Sequence, residues 1–260
     1  GNLPIQVCCE CGYIMQNPRF EKNFYRDFYR KYYRKFIKGK TTPSQDFIED
    51  QILRGQTLLS SSRHLFPKTG GLLDVGCSAG GMLLPFKEIG WDVYGMDPDT
   101  DYVRHGQEVL KLNIDYMDGE DINLGQRKFD LIIIMGSLEH VYDPNLILSK
   151  CRESCTSDSV LLMEGRFWPL GHSRDYFNHN HHRYLRKDSM ELLMLKHGWT
   201  PFHTTDEMIC GNTRRGNGYV SGRVTDSKLS NEEILSEAKK RDVLDVDFIL
   251  NEFDKIDQKF

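Results

Sequence analysis

Four histidines, His172, His179, His181 and His182, fall within eleven residues, and Arg183 and Tyr184 follow at once. Imidazole changes charge near neutral pH, so such a cluster can take a proton from an acceptor or contact a polar substrate. A second pattern with chemical meaning lies well upstream. The apolar run Leu72-Leu73-Asp74-Val75 ends in Gly76-Cys77-Ser78-Ala79-Gly80-Gly81, and a later run, Val93-Tyr94-Gly95-Met96, stops on Asp97. Glycines let the backbone approach a ligand closely, and a helix opening after them offers free N–H groups. A carboxylate at the tip of the second run can accept from both hydroxyls of a ribose. The two patterns together describe a site for an adenosine-containing cofactor beside a candidate base.

Elements must bring these patterns into one place. Residues 72–97 read as strand, tight turn, helix and parallel strand, one βαβ unit. A short third strand leads to the turn Tyr116-Met117-Asp118-Gly119-Glu120-Asp121-Ile122, and Leu131 to Met135 is a buried parallel strand. Asp143-Pro144 opens a helix over 144–155, followed by a fifth strand over Ser159–Glu164 and a long loop over 165–182. An amphipathic helix over Asp188–His197, ended by Gly198, precedes strands near Trp199–Thr204 and Tyr219–Val224. In an open parallel sheet the site lies beyond the C-terminal strand ends. That gathers the 76–80 turn, Asp97, Asp118, the 136–140 turn and the loop after Glu164 around one crevice.

The middle glycine of a dinucleotide fingerprint is Ser78 in this chain, which serves a pyrophosphate poorly. Asp74-Val75-Gly76-Cys77-x-x-Gly80 instead resembles the first motif of class I S-adenosylmethionine methyltransferases. The 116–122 segment resembles the stretch that holds adenine in that family, and Leu138-Glu139-His140 with Asp143-Pro144 resembles its fourth motif. The resemblance implies an α/β, Rossmann-like, mostly parallel sheet with helices on both faces and helical additions at both ends. It implies S-adenosylmethionine as cofactor, held by Asp74, Gly76, Cys77, Ser78, Gly80, Asp97, Pro98, Asp118, Gly119, Met135, Gly136, Ser137 and Leu138. His179 to Tyr184 is similar to the His-Glu-His-x-x-Tyr segment of deoxysugar C-methyltransferases, with Asn180 in place of the acid. That similarity implies His181 as base. His140 is the second catalytic candidate, and His179, His182, Arg183 and Tyr184 are substrate contacts. Without the acid, O-methylation is favoured over carbanion chemistry. The expected acceptor is a sugar hydroxyl in a nucleotide-linked or surface-polysaccharide precursor. A quinone-type phenol is the alternative, because ubiquinone-pathway enzymes share the Leu-Glu-His-x-x-Asp-Pro motif; a non-catalytic cofactor-binding subunit is another.

The rest of the chain sets bounds. It has 260 residues and a net charge of -4, so nothing marks the whole as a nucleic-acid binder. No apolar run is long enough to span a bilayer, and seven irregularly spaced cysteines suit free thiols in the cytoplasm. Cys8-x-x-Cys11-Gly12 with Asn17-Pro18-Arg19 resembles half of a zinc ribbon found in sugar methyltransferases, but a lone pair cannot close a tetrahedral site. No metal is expected there, nor at His172, Asp175, His179 and His181, whose spacing matches no metal site. Phe24, Phe28, Tyr32 and Phe36 alternate with Lys22, Arg26, Arg30, Arg34 and Lys38 at helical spacing, with Tyr25, Tyr29 and Tyr33 widening the apolar face. The expectation is an aromatic face docked on the core and a solvated basic face. The sharper alternative is a basic surface for an anionic substrate or a membrane. Residues 1–43 therefore read as a Cys-containing segment plus helix, 44–225 as the cofactor domain with a helix capped by Ser44, and 226–260 as a charged tail with a helix capped by Ser230. The tail could support a homodimer; a small molecule is the expected partner.

Overall fold

The structure is a computed structural model, and it describes residues 3–39, 41–66, 69–166, 179–214 and 216–241. His172, Asp175 and a helix expected near 244–256 lie outside the described residues. The chain opens with a hairpin of β1 (Ile5–Val7) and β2 (Ile14–Gln16), then α1 (Lys22–Lys31), α2 (Tyr33–Lys38) and α3 (Gln45–Ser62). The cofactor half follows as β3 (Gly71–Val75), α4 (Leu83–Glu88), β4 (Asp92–Asp97), α5 (Thr100–Glu108), β5 (Ile114–Tyr116), β6 (Phe129–Met135) and α6 (Pro144–Glu153). Then come β7 (Cys155–Arg166), β8 (Arg183–Tyr184), α7 (Lys187–Lys196), β9 (Trp199–Thr205), β10 (Asn217–Val224) and α8 (Asn231–Lys240).

Seven strands form one sheet in the order β5-β4-β3-β6-β7-β10-β9. β5, β4, β3, β6 and β7 are mutually parallel, and β10 runs antiparallel to both β7 and β9. Burial explains the sequence of β6. Leu131 and Ile133 join the core on one face, and Ile132 and Ile134 the core on the other, so an unbroken apolar run is required. The chain reverses direction of travel between β3 and β6, which opens a crevice at their C-terminal ends.

Caps explain several boundaries. The Ser44 hydroxyl accepts from the Phe47 N–H at the start of α3, and Asp143 accepts from Asn145 and Leu146 ahead of Pro144 in α6. Ser230 and Glu233 form a reciprocal capping box at α8.

Two features depart from expectation. A second, three-stranded sheet joins the N-terminal hairpin to β8, with Ile14 opposite Tyr184 and Met15 opposite Arg183. The histidine segment is therefore bound to residues on the far side of the boundary expected at residue 43. The polarity of α1 and α2 is also reversed. Phe24 and Phe36 are 48% and 77% exposed, while Arg26, Arg30 and Arg34 turn inward to carboxylates. Only the tyrosine part of the expected aromatic face is inside, where Tyr25 is buried.

The sheet is tied at its C-terminal edge by Glu164 on β7, which is fully buried. Its carboxylate accepts from Arg214 at 2.8 and 2.5 Å, from Asn217 at 2.6 Å and from the Tyr219 hydroxyl at 3.2 Å. Burial alone would push this carboxyl up, but Arg214, Arg54 and Asn217 hold it below the usual carboxylate range. Glu164→Gln strands a guanidinium, so urea unfolding is expected to show a loss of about 3 kcal/mol at neutral pH. The depressed value means the carboxylate's contribution is full above its unfolded value and fades on acidification. The gap between variant and parent should close only below about pH 4.

Candidate active site

One cavity of about 410 Å³ lies at the C-terminal ends of β3, β4 and β6, roofed by α1, α2 and α3. Its floor is the turn after β3. Gly76 has φ 80°, and a Cβ there would stand 2.6 Å from the Ser137 Cβ, so neither conformation nor space admits another residue. Ser78 also takes a left-handed conformation, φ 59°, at a cost of about 1 kcal/mol for a residue other than glycine. Its N–H donates to Asp97 at 2.7 Å, which holds the turn against the tip of β4. Ser137 donates from its hydroxyl to the Val75 carbonyl at 2.7 Å and ties the turn after β6 to the same floor.

Three acids face this space. Asp74, Asp97 and Asp118 line the cavity and all are buried. The other oxygen of Asp97 accepts from the Asp99 N–H at 2.9 Å. Burial raises the Asp97 carboxyl, against the pull of Arg34 and these two N–H donors. Burial also raises Asp74 to about 7, opposed by Arg54 and reinforced by Asp97 and Glu164. Arginines from outside the sheet answer these charges. Arg30 forms a short ion pair with Asp118, Arg26 approaches the same oxygen at 3.9 Å, and Arg34 reaches Asp99 at 3.5 Å and the Ser78 hydroxyl at 2.9 Å. Gln51 and Arg54, one helical turn apart on α3, enter from the side; the Gln51 carbonyl oxygen accepts from the Gly81 N–H at 3.2 Å.

The residues fit an adenosine cofactor with a cationic end. The glycine turn is a cradle that a Cβ would fill, Asp97 stands at the strand tip, and Asp74 is a buried acid beside the turn. Of the residues expected to hold the cofactor, Asp74, Gly76, Cys77, Asp97, Pro98, Asp118, Gly119, Met135, Gly136 and Ser137 line the cavity. Ser78 and Gly80 shape the turn instead, and Leu138 is fully buried beneath it. Burial pushes the Cys77 thiol well up, which suits a packing residue rather than a nucleophile.

The histidine segment is placed otherwise than expected. His181 and His182 are buried, as are Arg183 and Tyr184, while His179 is exposed. None of the five lines the cavity. Arg183 donates to the carbonyls of Leu138 at 2.5 Å, Val141 at 2.7 Å and Tyr142 at 3.1 Å, and to the Tyr13 hydroxyl at 2.9 Å. Three of these bonds go to the turn that carries His140, so Arg183 braces that turn. Burial, with Arg183 and Arg19 nearby, drives His182 far below its ordinary value, and its ring packs 3.9 Å from that of Tyr25. A neutral, enclosed imidazole of this kind holds α1 in place.

Among the described residues, His140 is the histidine that lines the cavity. Its Nδ1 lies 3.0 Å from the Asn180 carbonyl oxygen and 2.9 Å from the Tyr29 hydroxyl. The His181 ring lies behind it, centroids 4.7 Å apart. Glu139, His140 and His181 present ligand-type atoms within 4.8 Å of one another, the group among the described residues that could hold a metal ion. Cys8 and Cys11 sit at the hairpin turn, where the Gly12 N–H donates to the Cys8 carbonyl at 2.9 Å. Beside His140 the wall is aromatic: Tyr25, Tyr29, Tyr33 and Tyr142, with Met117 and Val141. These tyrosines, Arg54 and Arg214 are site residues that sequence patterns did not single out. The nearest signal was the three-tyrosine row at helical spacing.

Comparison with known proteins agrees with this architecture. Residues 50–204, more than half of the chain, match the family profile described as "Methyltransferase domain". A ubiquinone biosynthesis O-methyltransferase of Nitrobacter winogradskyi is 39% identical over 85 residues, 31% of this chain and 32% of its own length. One from Actinobacillus pleuropneumoniae serotype 7 is 35% identical over 119 residues, 42% of this chain and 50% of its own. The chain thus spans between a third and a half of these relatives. Among solved structures, Burkholderia thailandensis 1,6-didemethyltoxoflavin-N1-methyltransferase, with bound 1,6-didemethyltoxoflavin and S-adenosylhomocysteine, is similar with a TM-score of 0.61 and 14% identity. That match covers 86% of this chain and 100% of the other. The glycopeptide N-methyltransferase MtfA complexed with S-adenosyl-L-methionine gives 0.54 and 13%, over 66% and 93%. At these identities the structural likeness concerns the fold.

The Asp74 carboxyl yields a pH test. Its folded value, about 7, lies above its unfolded one, so folding favours the protonated form. Stability is unaffected by this group in acid and declines as pH rises toward 7. Asp74→Asn removes the effect. Between pH 4 and pH 8 thermal and urea unfolding should shift in favour of the variant by about 3–4 kcal/mol relative to the parent. A difference independent of pH would mean that Asp74 is ionised in the folded protein throughout.

Proposed function

The chain belongs to the methyltransferase-domain family and has the class I, S-adenosylmethionine-dependent fold, and from that premise we propose that it O-methylates a sugar-containing small molecule with His140 as the base. The observation that carries the base assignment is the placement of the His140 Nδ1 against the Asn180 carbonyl oxygen at 3.0 Å. A carbonyl only accepts, which favours the tautomer with the proton on Nδ1 and the lone pair on Nε2. The cofactor, when bound, supplies a methyl group on a sulfonium, an electrophile that needs a correctly aligned acceptor oxygen.

The chain's own residues do the rest. Asp97 is placed to accept from ribose hydroxyls and Asp118 from an adenine amine, while Asp74 faces the cofactor's cationic end. In this reading Nε2 of His140 would take the acceptor's hydroxyl proton, and the methyl donor would leave as its neutral thioether once its carbon–sulfur bond breaks. Glu139 lies close enough to stabilise the resulting imidazolium. His181, expected from its motif to be the base, packs behind His140 and is a positioning residue in this scheme. Lys22 in the cavity wall suits an acceptor with an anionic group, and the tyrosine rings suit the C–H faces and hydroxyls of a sugar. A second reading, a quinone-type phenol, is favoured by Met117 and Val141 in the same wall and by the names of the curated relatives.

His140→Ala is expected to lower kcat by roughly a hundredfold or more with cofactor Kd nearly unchanged, because a positioned base contributes about that much. His181→Ala should cost less and should shift the acidic limb of the pH–rate profile. If His181→Ala is the inactive variant and His140→Ala retains turnover, the base is His181. The acceptor class is read by transfer of labelled methyl into a small-molecule cell extract. Label in the anionic, water-soluble fraction supports the sugar; label in the organic phase supports the phenol.

A further inference from the structure

α1 and α2 turn their arginines inward and their phenylalanines outward. Phe20, Phe24, Tyr32 and Phe36 are 50%, 48%, 50% and 77% exposed. With Phe28 they recur every four residues along the exposed side of the segment. The Phe20 and Phe24 rings are in contact, tilted by 31° with centroids 4.3 Å apart, and Phe24 and Phe28 lie 6.4 Å apart within 4° of parallel. The Phe36 N–H donates to the Tyr32 carbonyl at 2.9 Å and carries the helical row into α2. The opposite face cannot take these rings, since Tyr25, Tyr29, Tyr33 and the arginine–carboxylate pairs already fill it.

Charge is concentrated on the same segment. Residues 19–40 hold nine Lys and Arg against Glu21 and Asp27, a net of +7, in a chain whose net is -4, so the remainder carries -11. Lys31 and Lys35 are exposed beside the aromatic row, and Asp27 is neutralised by Lys31 at 3.1 Å.

We propose that this aromatic row is a membrane-surface anchor, with α1 and α2 lying in the headgroup region of an anionic bilayer. Aromatic side chains favour the acyl boundary, and lysines spread their stems over apolar surface while their ammonium groups reach phosphate. The remaining chain carries a net negative charge, so this basic segment is the part an anionic surface attracts. A convex row of rings fringed by flexible cations matches a diffuse anionic interface, where no particular hydrogen-bond partner is required. Because Tyr25, Tyr29 and Tyr33 on the same helices line the cavity, the anchor brings the roof of the site to the bilayer. The inference stands on the surface alone and does not rest on the acceptor or on methyl transfer.

The test is co-sedimentation of the full chain with vesicles of phosphatidylcholine, with and without about 30 mol% phosphatidylglycerol. The parent should bind the anionic vesicles, and binding should fall by roughly tenfold in about 0.5 M salt. Phe24→Ser/Phe36→Ser and, separately, Lys31→Glu/Lys35→Glu should each weaken binding by roughly tenfold while melting temperature stays that of the parent. The lysine pair keeps the test decisive if the aromatic pair misfolds. Absence of vesicle binding by the parent overturns the proposal, as does binding that survives both pairs. So does a concentration-dependent dimer abolished by Phe24→Ser/Phe36→Ser in a protein that ignores vesicles, which would make the row a contact between copies.

Discussion

Burying several carboxylates at one edge of a parallel sheet is the constraint from which the rest of this structure follows. Asp74, Asp97, Asp118 and Glu164 are all buried around the same crevice. Like charges in a poorly solvated space raise one another's pKa and oppose folding unless cations are brought to them. Among the described side chains the cations come from outside these strands: Arg54 from α3, Arg26 and Arg30 from α1, Arg34 from α2 and Arg214 from the loop before β10. The N-terminal helices are thereby held over the cavity by electrostatics as much as by apolar contact, and their phenylalanines are left to solvent.

The balance among the acids is uneven, and the unevenness is informative. Glu164 has Arg214, Asn217 and Tyr219 on it and stays ionised, so it is a structural tie. Asp74 has only the more distant influence of Arg54 against burial and two acidic neighbours, and its carboxyl rises to about 7. A group left under-compensated in a cavity is one that a cationic ligand completes. In the proposed reading a cofactor bearing a sulfonium and an ammonium would bring that charge to Asp74.

How much of this was legible depends on the range over which each feature is decided. The glycine turn, the apolar β6 run, and the Ser44, Asp143 and Ser230 caps are set within a few residues and read directly from sequence. The orientation of α1 and α2 is set by carboxylates far along the chain. Both stripes were visible, but amphipathicity assigns the apolar stripe inward by default. Here a row of acids outbid the phenylalanines for the arginine face, while the tyrosines kept their place inside. Arg54 and Arg214 carry no local pattern at all, since only the fold brings α3 and the loop before β10 to the ends of β3 and β7.

The histidine segment makes the same point about motifs. Its residue types suggested direct chemistry, yet β8 is two residues long and gains its partners from the N-terminal hairpin, a pairing no local signal announces. Once paired, the segment points its functional groups at the turn after β6. The His182 N–H donates to the Glu139 carbonyl at 2.9 Å, Arg183 gathers three carbonyls of the same turn, and the Asn180 carbonyl orients the His140 ring. A cluster of ionisable residues can thus serve a reaction by fixing the tautomer and position of one neighbour. The segment then acts as a brace that fixes the position of the turn carrying His140, the described histidine that lines the cavity.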